Sequence, residues 1–248
     1  AFSTRLGGVS EGYYSSLNLS FDRGDDPARV LENFKRIGAS MGVAVEDMVL
    51  SKQTHTTNVR VVTKEDKGKG VMRERNYTDV DGMITNVPGI CLVTSYADCV
   101  PLYFVDPVKK AIGLSHSGWR GTVAKIGAVT VRRMQEEFGS EPSEIYAAVG
   151  PSICQDCYEV SEDVIEQFKE NFAEEQWDSL FYGKLDGKYQ LDLWEANHQI
   201  MLEAGIREEH ISLPNLCTCC NPEFLFSHRA SHGKRGNLGA FLGIKKTK

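Results

Sequence analysis

Two hydrophobic periods alternate along the chain. Val30, Leu31, Phe34, Ile37 and Met41 recur at three- and four-residue spacing, which predicts an amphipathic helix entered at Pro27 and ending near Gly42. The same spacing in Val123, Ile126, Val129, Val131 and Met134 predicts one helix over 121–138, stopped by Gly139. Ser161 opens a further, capped helix, and the stretch from Asp192 to Gly205 is another amphipathic one. Between them, the apolar runs 90–95, 102–105 and 111–115 are too short for helices and predict neighbouring strands of one buried sheet. Met48 to Gln53, Val59 to Thr63 and Ile145 to Val149 add strands, and Leu225-Phe226 and Phe241-Leu242 are expected to close a sheet. Residues 2–20 read as a strand, a Gly7-Gly8 turn and a second extended piece, and the charged segment 64–79 reads as a surface loop. Strands interleave with helices without a regular strand-helix-strand period. The fold class expected is α+β: a single-domain sandwich of mixed β-sheets flanked by helices over residues 1–248, not a doubly wound sheet.

Composition narrows the partners. Lys+Arg 28 against Asp+Glu 34 leaves a net charge of −6, so no global basic field recruits nucleic acid and any anion site must be local. No apolar run approaches the roughly 18 residues of a membrane span, so no membrane partner is expected. Seven cysteines are an odd number, which argues against a complete disulfide framework and for a reducing, cytoplasmic compartment. The chain opens at Ala1 inside a motif, which leaves a preceding segment open.

The candidate chemistry centres on 96–122. Cys99 and His116 fall at the ends of two short apolar segments, just before a Gly118-Trp-Arg-Gly121 turn that opens a helix, and His55 lies at another strand end. Three such donors with one open position are the catalytic arrangement for zinc; two His and one Cys also describe copper ligation. A metal-free alternative pairs a Cys99 thiolate with His55 or His116 as base, as in a cysteine hydrolase. Of six histidines, the four others (His198, His210, His228 and His232) lie far apart in sequence and are too few for the trinuclear cluster of a multicopper oxidase. Arg120 at the helix N-terminus, Arg5 beside the Gly7-Gly8 turn and Arg229 are candidate anion or phosphate ligands. Asp81 and Asp98 are expected to orient strand ends or supporting groups. Cys154, Cys157, Cys217, Cys219 and Cys220 offer a Cys₄ zinc site, a redox pair or buried thiols.

The residues Gln53-Thr-His55, Asp81-Gly, Ala97-Asp-Cys99, Ser115-His-Ser-Gly-Trp-Arg-Gly121, Gly150-Pro-Ser-Ile153 and Tyr158-Glu-Val160 together resemble the YfiH-like family, also called the multicopper polyphenol oxidase or laccase-domain family. The opening residues 2–10 and 16–19 match it, as do Cys217-Thr218 and Phe226-Ser-His-Arg229, so the resemblance covers nearly the whole chain. It implies purine nucleoside phosphorolysis of adenosine or inosine with phosphate, at a site holding His55, Cys99 and His116. Adenosine deamination and methylthioadenosine cleavage are implied as accompanying activities, and small-molecule substrates as the partners; the metal expected from the donor set is zinc, with copper as the alternative. The alternative is a copper-dependent polyphenol oxidase; a third is a non-catalytic binding module. Phe34, Ala230 and Asn237 stand where the family commonly carries arginine, with Lys35, Arg36, Lys234 or Arg235 as steric substitutes.

Overall fold

The computed structural model describes residues 1–245; residues 246–248, the end of the expected domain, lie outside the described residues. In chain order the regular elements begin with α1 (Pro27–Met41), β1 (Met48–Leu50), β2 (Val59–Val61), β3 (Gly82–Thr85), β4 (Cys91–Tyr96), β5 (Val100–Asp106) and β6 (Ala111–Ser117). They continue with α2 (Trp119–Val123), α3 (Ile126–Phe138), β7 (Tyr146–Val149), β8 (Glu159–Val160), α4 (Glu162–Asn171), α5 (Trp177–Leu180), β9 (Phe181–Gly183) and β10 (Tyr189–Leu191). The last are α6 (Leu193–Glu203), β11 (Ile211–Ser212) and β12 (Leu238–Gly243).

Sheet order explains why the apolar runs are so continuous. A mixed six-stranded sheet, β11-β7-β5-β6-β3-β2, faces a three-stranded one, β1-β4-β12. Strand alternation sends Ile84, Leu102 and Phe104 to one side, against Ile126 and Met134 of α3 and Ile200 of α6. Met83, Ile112 and Leu114 point to the other, where they meet Leu92 and Tyr96 of β4 and the buried Phe226. The far side of β4 places Val93, with Phe241, against Val30 and Phe34 of α1. The layers are thus helices, large sheet, small sheet and α1. This is the expected α+β sandwich of mixed sheets.

Several local expectations change. The runs 90–95, 102–105 and 111–115 belong to two sheets: β4 pairs with β1 and β12, whereas β5 and β6 pair with each other in the large sheet. A run buried on both faces cannot reveal which sheet covers it. The predicted 121–138 helix is two helices, because Lys125 adopts φ 56 and breaks the ladder between α2 and α3. The Ser161 hydroxyl bonds the Asp163 carboxylate and makes no side-chain cap to a helix amide. Leu225 and Phe226 are buried but form no strand; β12 alone closes the small sheet. The 64–79 segment is more than a surface loop, since Asp66 is buried and gathers Arg60 at 2.9 Å and Lys69 at 2.8 Å. α1 keeps its predicted ends, with the Asp26 carboxylate accepting the Ala28 N–H at 2.8 Å and Gly42 left-handed at φ 68.

Candidate active site

The seam between the two sheets builds the site. β4 of the small sheet passes into β5 of the large one through Ala97, Asp98 and Cys99, with Asp98 held at φ 87. Register then sets Pro101 opposite His116 and Val100 opposite Ser117, which brings Cys99 to the end of β6 beside His116. The Asp98 carboxylate fixes this corner by accepting the Thr218 hydroxyl and the Arg229 N–H, each at 2.7 Å. His55 arrives from the loop before β2.

Asp81 organises the rest. Its fully buried carboxylate accepts the amides of Thr54, His55 and Thr56 at 2.9, 3.0 and 3.1 Å, so the loop wraps around one anion. Those bonds offset the unfavourable φ of 66 at His55. The same carboxylate accepts Nδ1–H of His116 at 2.8 Å, which leaves Nε2 of that ring to face the cluster. The donor atoms of His55, Cys99 and His116 lie within 4.8 Å of one another, and the two imidazole rings meet edge-on at 4.8 Å between centroids. Gly118 closes the floor: a Cβ there would stand 2.9 Å from His55 Cδ2 and 3.1 Å from Cys99 Sγ.

The electrostatics follow from this geometry. Burial opposes charge on Cys99, but the charge and hydrogen bonds of His116 and His55 outweigh it and bring the thiol down to about 6. Burial likewise disfavours the His116 imidazolium, and Cys99 with Asp81 overcomes that to raise it to about 9. Asp81, despite burial, is held down to about 2 by His116 and the loop amides. Two neutral-capable nitrogens, a thiolate and a fixed His116 tautomer fit a three-ligand metal centre with room for a fourth group. Among the described residues, the other constellation of three or more metal-ligating side chains is all cysteine, so no second histidine cluster offers the ligands of a trinuclear copper centre.

The three side chains open on a cavity of about 300 Å³. Arg23, Lys52, Arg75 and Arg235 line it against one carboxylate, Asp22. Lys52 and Arg75 share Asp22, at 2.8 and 3.6 Å. Arg235 points into the wall beside Asn237, with its Nε buried and lacking a hydrogen-bond partner among the described residues. Burial and the neighbouring Arg23 lower its guanidinium to about 10, which leaves it charged at neutral pH.

The arginines singled out from sequence lie elsewhere, and none lines this cavity. Arg5 stacks on Phe226 at 4.6 Å and donates to the carbonyls of Ser15 and Pro222 at 2.9 and 2.8 Å. Arg229 donates to the carbonyls of Cys157 and Glu159 at 3.2 and 2.8 Å. Arg120 is exposed and lies over the Trp119 ring at 4.2 Å. Arg235 was legible only as a steric substitute near Asn237. Arg23, Lys52 and Arg75 carried no sequence signal, since three separate loops bring them together. Phe34, at a family arginine position, is fully buried and stacks at 5.6 Å on Phe21 in the cavity wall.

A mixed-sheet sandwich that fixes a thiolate and two imidazoles beside a cationic, small-molecule-sized cavity has the makings of an enzyme site. The chain belongs to the family described as multi-copper polyphenol oxidoreductase laccase, whose model matches residues 1–245. It is 38% identical over 246 residues to purine nucleoside phosphorylase YlmD of Bacillus subtilis, covering 99% of this chain and 88% of that one. It is 36% identical to adenosine deaminase RL5 from an unknown prokaryotic organism, over 92% of this chain and 87% of that protein. The crystal structure of Bacillus licheniformis YfiH superposes with a TM-score of 0.95 at 36% identity, covering 98% and 91% of the two chains. The resemblance read from the motifs is thereby shown, and the chain is an enzyme of this family. No helix among the described residues is long and apolar enough to cross a membrane.

Proposed function

We propose that the chain is a purine nucleoside phosphorylase that converts adenosine or inosine and phosphate to the free base and ribose-1-phosphate. The observation that carries it is the cationic cavity opening directly on His55, Cys99 and His116. A phosphate oxygen must attack C1′ while the bond from C1′ to the base nitrogen breaks, so the protein has to hold an anion at the sugar and meet charge on the departing purine. Arg235, with Arg23 beside it, supplies the anion contact. Lys52 and Arg75, half-neutralised by Asp22, set the cavity's positive field. His55, exposed at the mouth, is placed to deliver a proton to the leaving base. His116 is held by Asp81 and steadies the thiolate of Cys99.

His55, Cys99 and His116 are the residues that would hold a zinc ion, which when bound supplies Lewis acidity and an activated water, the chemistry an accompanying deamination of adenosine requires. Arg5, Arg120 and Arg229 are assigned by family resemblance to the phosphate side, and their geometry suits support of the surrounding walls. Seven unbridged cysteines among the described residues fit a reducing compartment such as the cytoplasm.

The test is incubation of adenosine or inosine with the purified protein, with and without phosphate. Free base and ribose-1-phosphate are expected only with phosphate, whereas any inosine made from adenosine should persist without it. Untouched nucleoside together with copper-dependent oxidation of phenols would replace this assignment with the polyphenol oxidase one.

A further inference from the structure

A second constellation stands apart from the site described above. Cys154 and Cys157 bracket one tight turn, and Cys217 and Cys220 bracket another later in the chain. A bridge between Ser152 and Cys217, with the Thr218 N–H donating to the Ser152 carbonyl at 3.1 Å, sets the two turns side by side. The four sulfurs all lie within 4.8 Å of one another. Cys154 Sγ is 3.9 Å from Cys220 Sγ, and Cys157 Sγ is 3.5 Å from it.

These separations discriminate between two uses of four cysteines. A disulfide draws two sulfurs to about 2.05 Å. Four thiolates around one zinc ion, each about 2.3 Å from the metal, stand about 3.8 Å apart along the tetrahedron's edges. The observed spacings fall around the second value. Two Cys-x-x-Cys pairs are also the ligand pattern of structural tetrathiolate zinc. The local backbone supports thiolate at the deepest sulfur, because the amides of Cys154 and Cys220 point at Cys217 Sγ from 3.2 and 3.4 Å. Cys219, the remaining cysteine of this turn, lies outside the set of four.

We infer that Cys154, Cys157, Cys217 and Cys220 form a closed tetrathiolate site for a structural zinc ion, distinct from the His55, Cys99 and His116 centre. With all four positions filled by protein, the ion does no chemistry on substrate. It staples the wall of the active site instead. The 217–220 turn carries Thr218, whose hydroxyl holds Asp98 at 2.7 Å, and Asp98 precedes Cys99. The 154–157 turn offers the Cys157 carbonyl to Arg229, whose own amide binds the other Asp98 oxygen at 2.7 Å. Clamping the two turns therefore fixes both groups that position the Asp98 corner.

The experiment measures metal in the Cys99→Ala protein, in which the catalytic centre has lost its thiolate. About one zinc per chain should remain after purification without added metal. Exchange for cobalt should give the intense red-region absorption and thiolate-to-cobalt bands of a four-sulfur tetrahedral site. His55→Ala, altered at an exposed ligand, provides the same readout should Cys99→Ala fold poorly. Cys220→Ser in the Cys99→Ala background should lose the ion, and Cys220→His should keep it with a shifted cobalt spectrum. Metal-free Cys99→Ala protein whose four cysteines react as free thiols would overturn the inference, as would a mass lower by two hydrogens for each pair. One iron per chain in place of zinc would overturn the metal assignment.

Discussion

The Asp81 carboxylate lies 2.8 Å from Nδ1 of His116 while three amides of the His55 loop converge on the same group. One buried anion therefore sets both the tautomer of one candidate ligand and the backbone of another. Asp81→Asn turns one acceptor oxygen into a donor facing amide donors. Metal affinity should fall by about 10- to 100-fold, measured by competition with a chromophoric chelator. The protein should lose on the order of 3 kcal/mol of stability. Asp81 is held down from its ordinary 3.8 to about 2, so its contribution is present above the ordinary value and lost as pH falls through about 2. The variant's stability should accordingly fall less on acidification than the parent's; an unchanged acid limb, with unchanged metal affinity, would remove Asp81 from this role.

Cys99 and His116 give the metal-stripped protein a defined pH window. The thiol is lowered to about 6, so its stabilising contribution is present above the ordinary thiol value of 9.0 and is lost as pH falls through about 6. His116 is raised to about 9, so its contribution is present below the ordinary 6.5 and is lost as pH rises through about 9. The thiolate and imidazolium coexist between about 6 and 9. Alkylation of Cys99 by iodoacetamide in chelator-treated protein should rise with a midpoint near the lower limit. A midpoint at the ordinary thiol value would show that the imidazoles do not charge it.

Gly118 separates loss of function from loss of fold. Its φ of −75 suits alanine, so the backbone is not strained by the change. The new methyl meets His55 Cδ2 at 2.9 Å and Cys99 Sγ at 3.1 Å, and its cost falls on the donor constellation. Gly118→Ala should reduce metal affinity and turnover by at least about 10-fold, while the melting temperature moves by no more than about 4 °C. Equal losses in stability and activity would mean that the constellation is not the part displaced.

Sequence periodicity located α1 and α6 because each buries one continuous apolar face, and α4 was legible from Ser161 as a helix opener. The central strands showed as short apolar runs because they are buried on both faces. Periodicity could not divide β4 from β5 and β6, since Leu92, Leu102 and Leu114 are alike in burial and only hydrogen-bond register assigns them to sheets. The break at Lys125 is a backbone event inside an unbroken apolar period, so it too was invisible. His55, Cys99 and His116 were legible as residues in motifs, and the structure brings their donor atoms together. The cavity's cations were not, because Arg23, Lys52, Arg75 and Arg235 belong to no common motif and meet only when the segments around Phe21, Ser51, Arg75 and Asn237 close on one another.

Phosphate placement separates the two sets of arginines. Arg235 lines the cavity with Nη1 on Asn237 Oδ1 and Nη2 at 3.4 Å from His228 Nδ1, and its buried Nε has no partner among the described residues, so its donors are only partly committed and an oxyanion can compete for the rest. Arg5 spends its donors on the carbonyls of Ser15 and Pro222, and Arg120 stacks on Trp119 in solvent. Arg235→Ala should raise the phosphate KM of nucleoside phosphorolysis by about 10- to 100-fold, the loss of one charge-assisted contact of about 1.5–3 kcal/mol. Arg235→Lys should recover part of it, since charge returns without the planar fork. Arg5→Ala should lower the melting temperature and leave the phosphate KM within about threefold of the parent. Arg120 and Arg229 share the surroundings of Tyr158, which also feels the charge of Cys99. A large rise in phosphate KM for Arg120→Ala, with Arg235→Ala silent, would therefore move the anion out of the cavity to the Tyr158 side of Cys99.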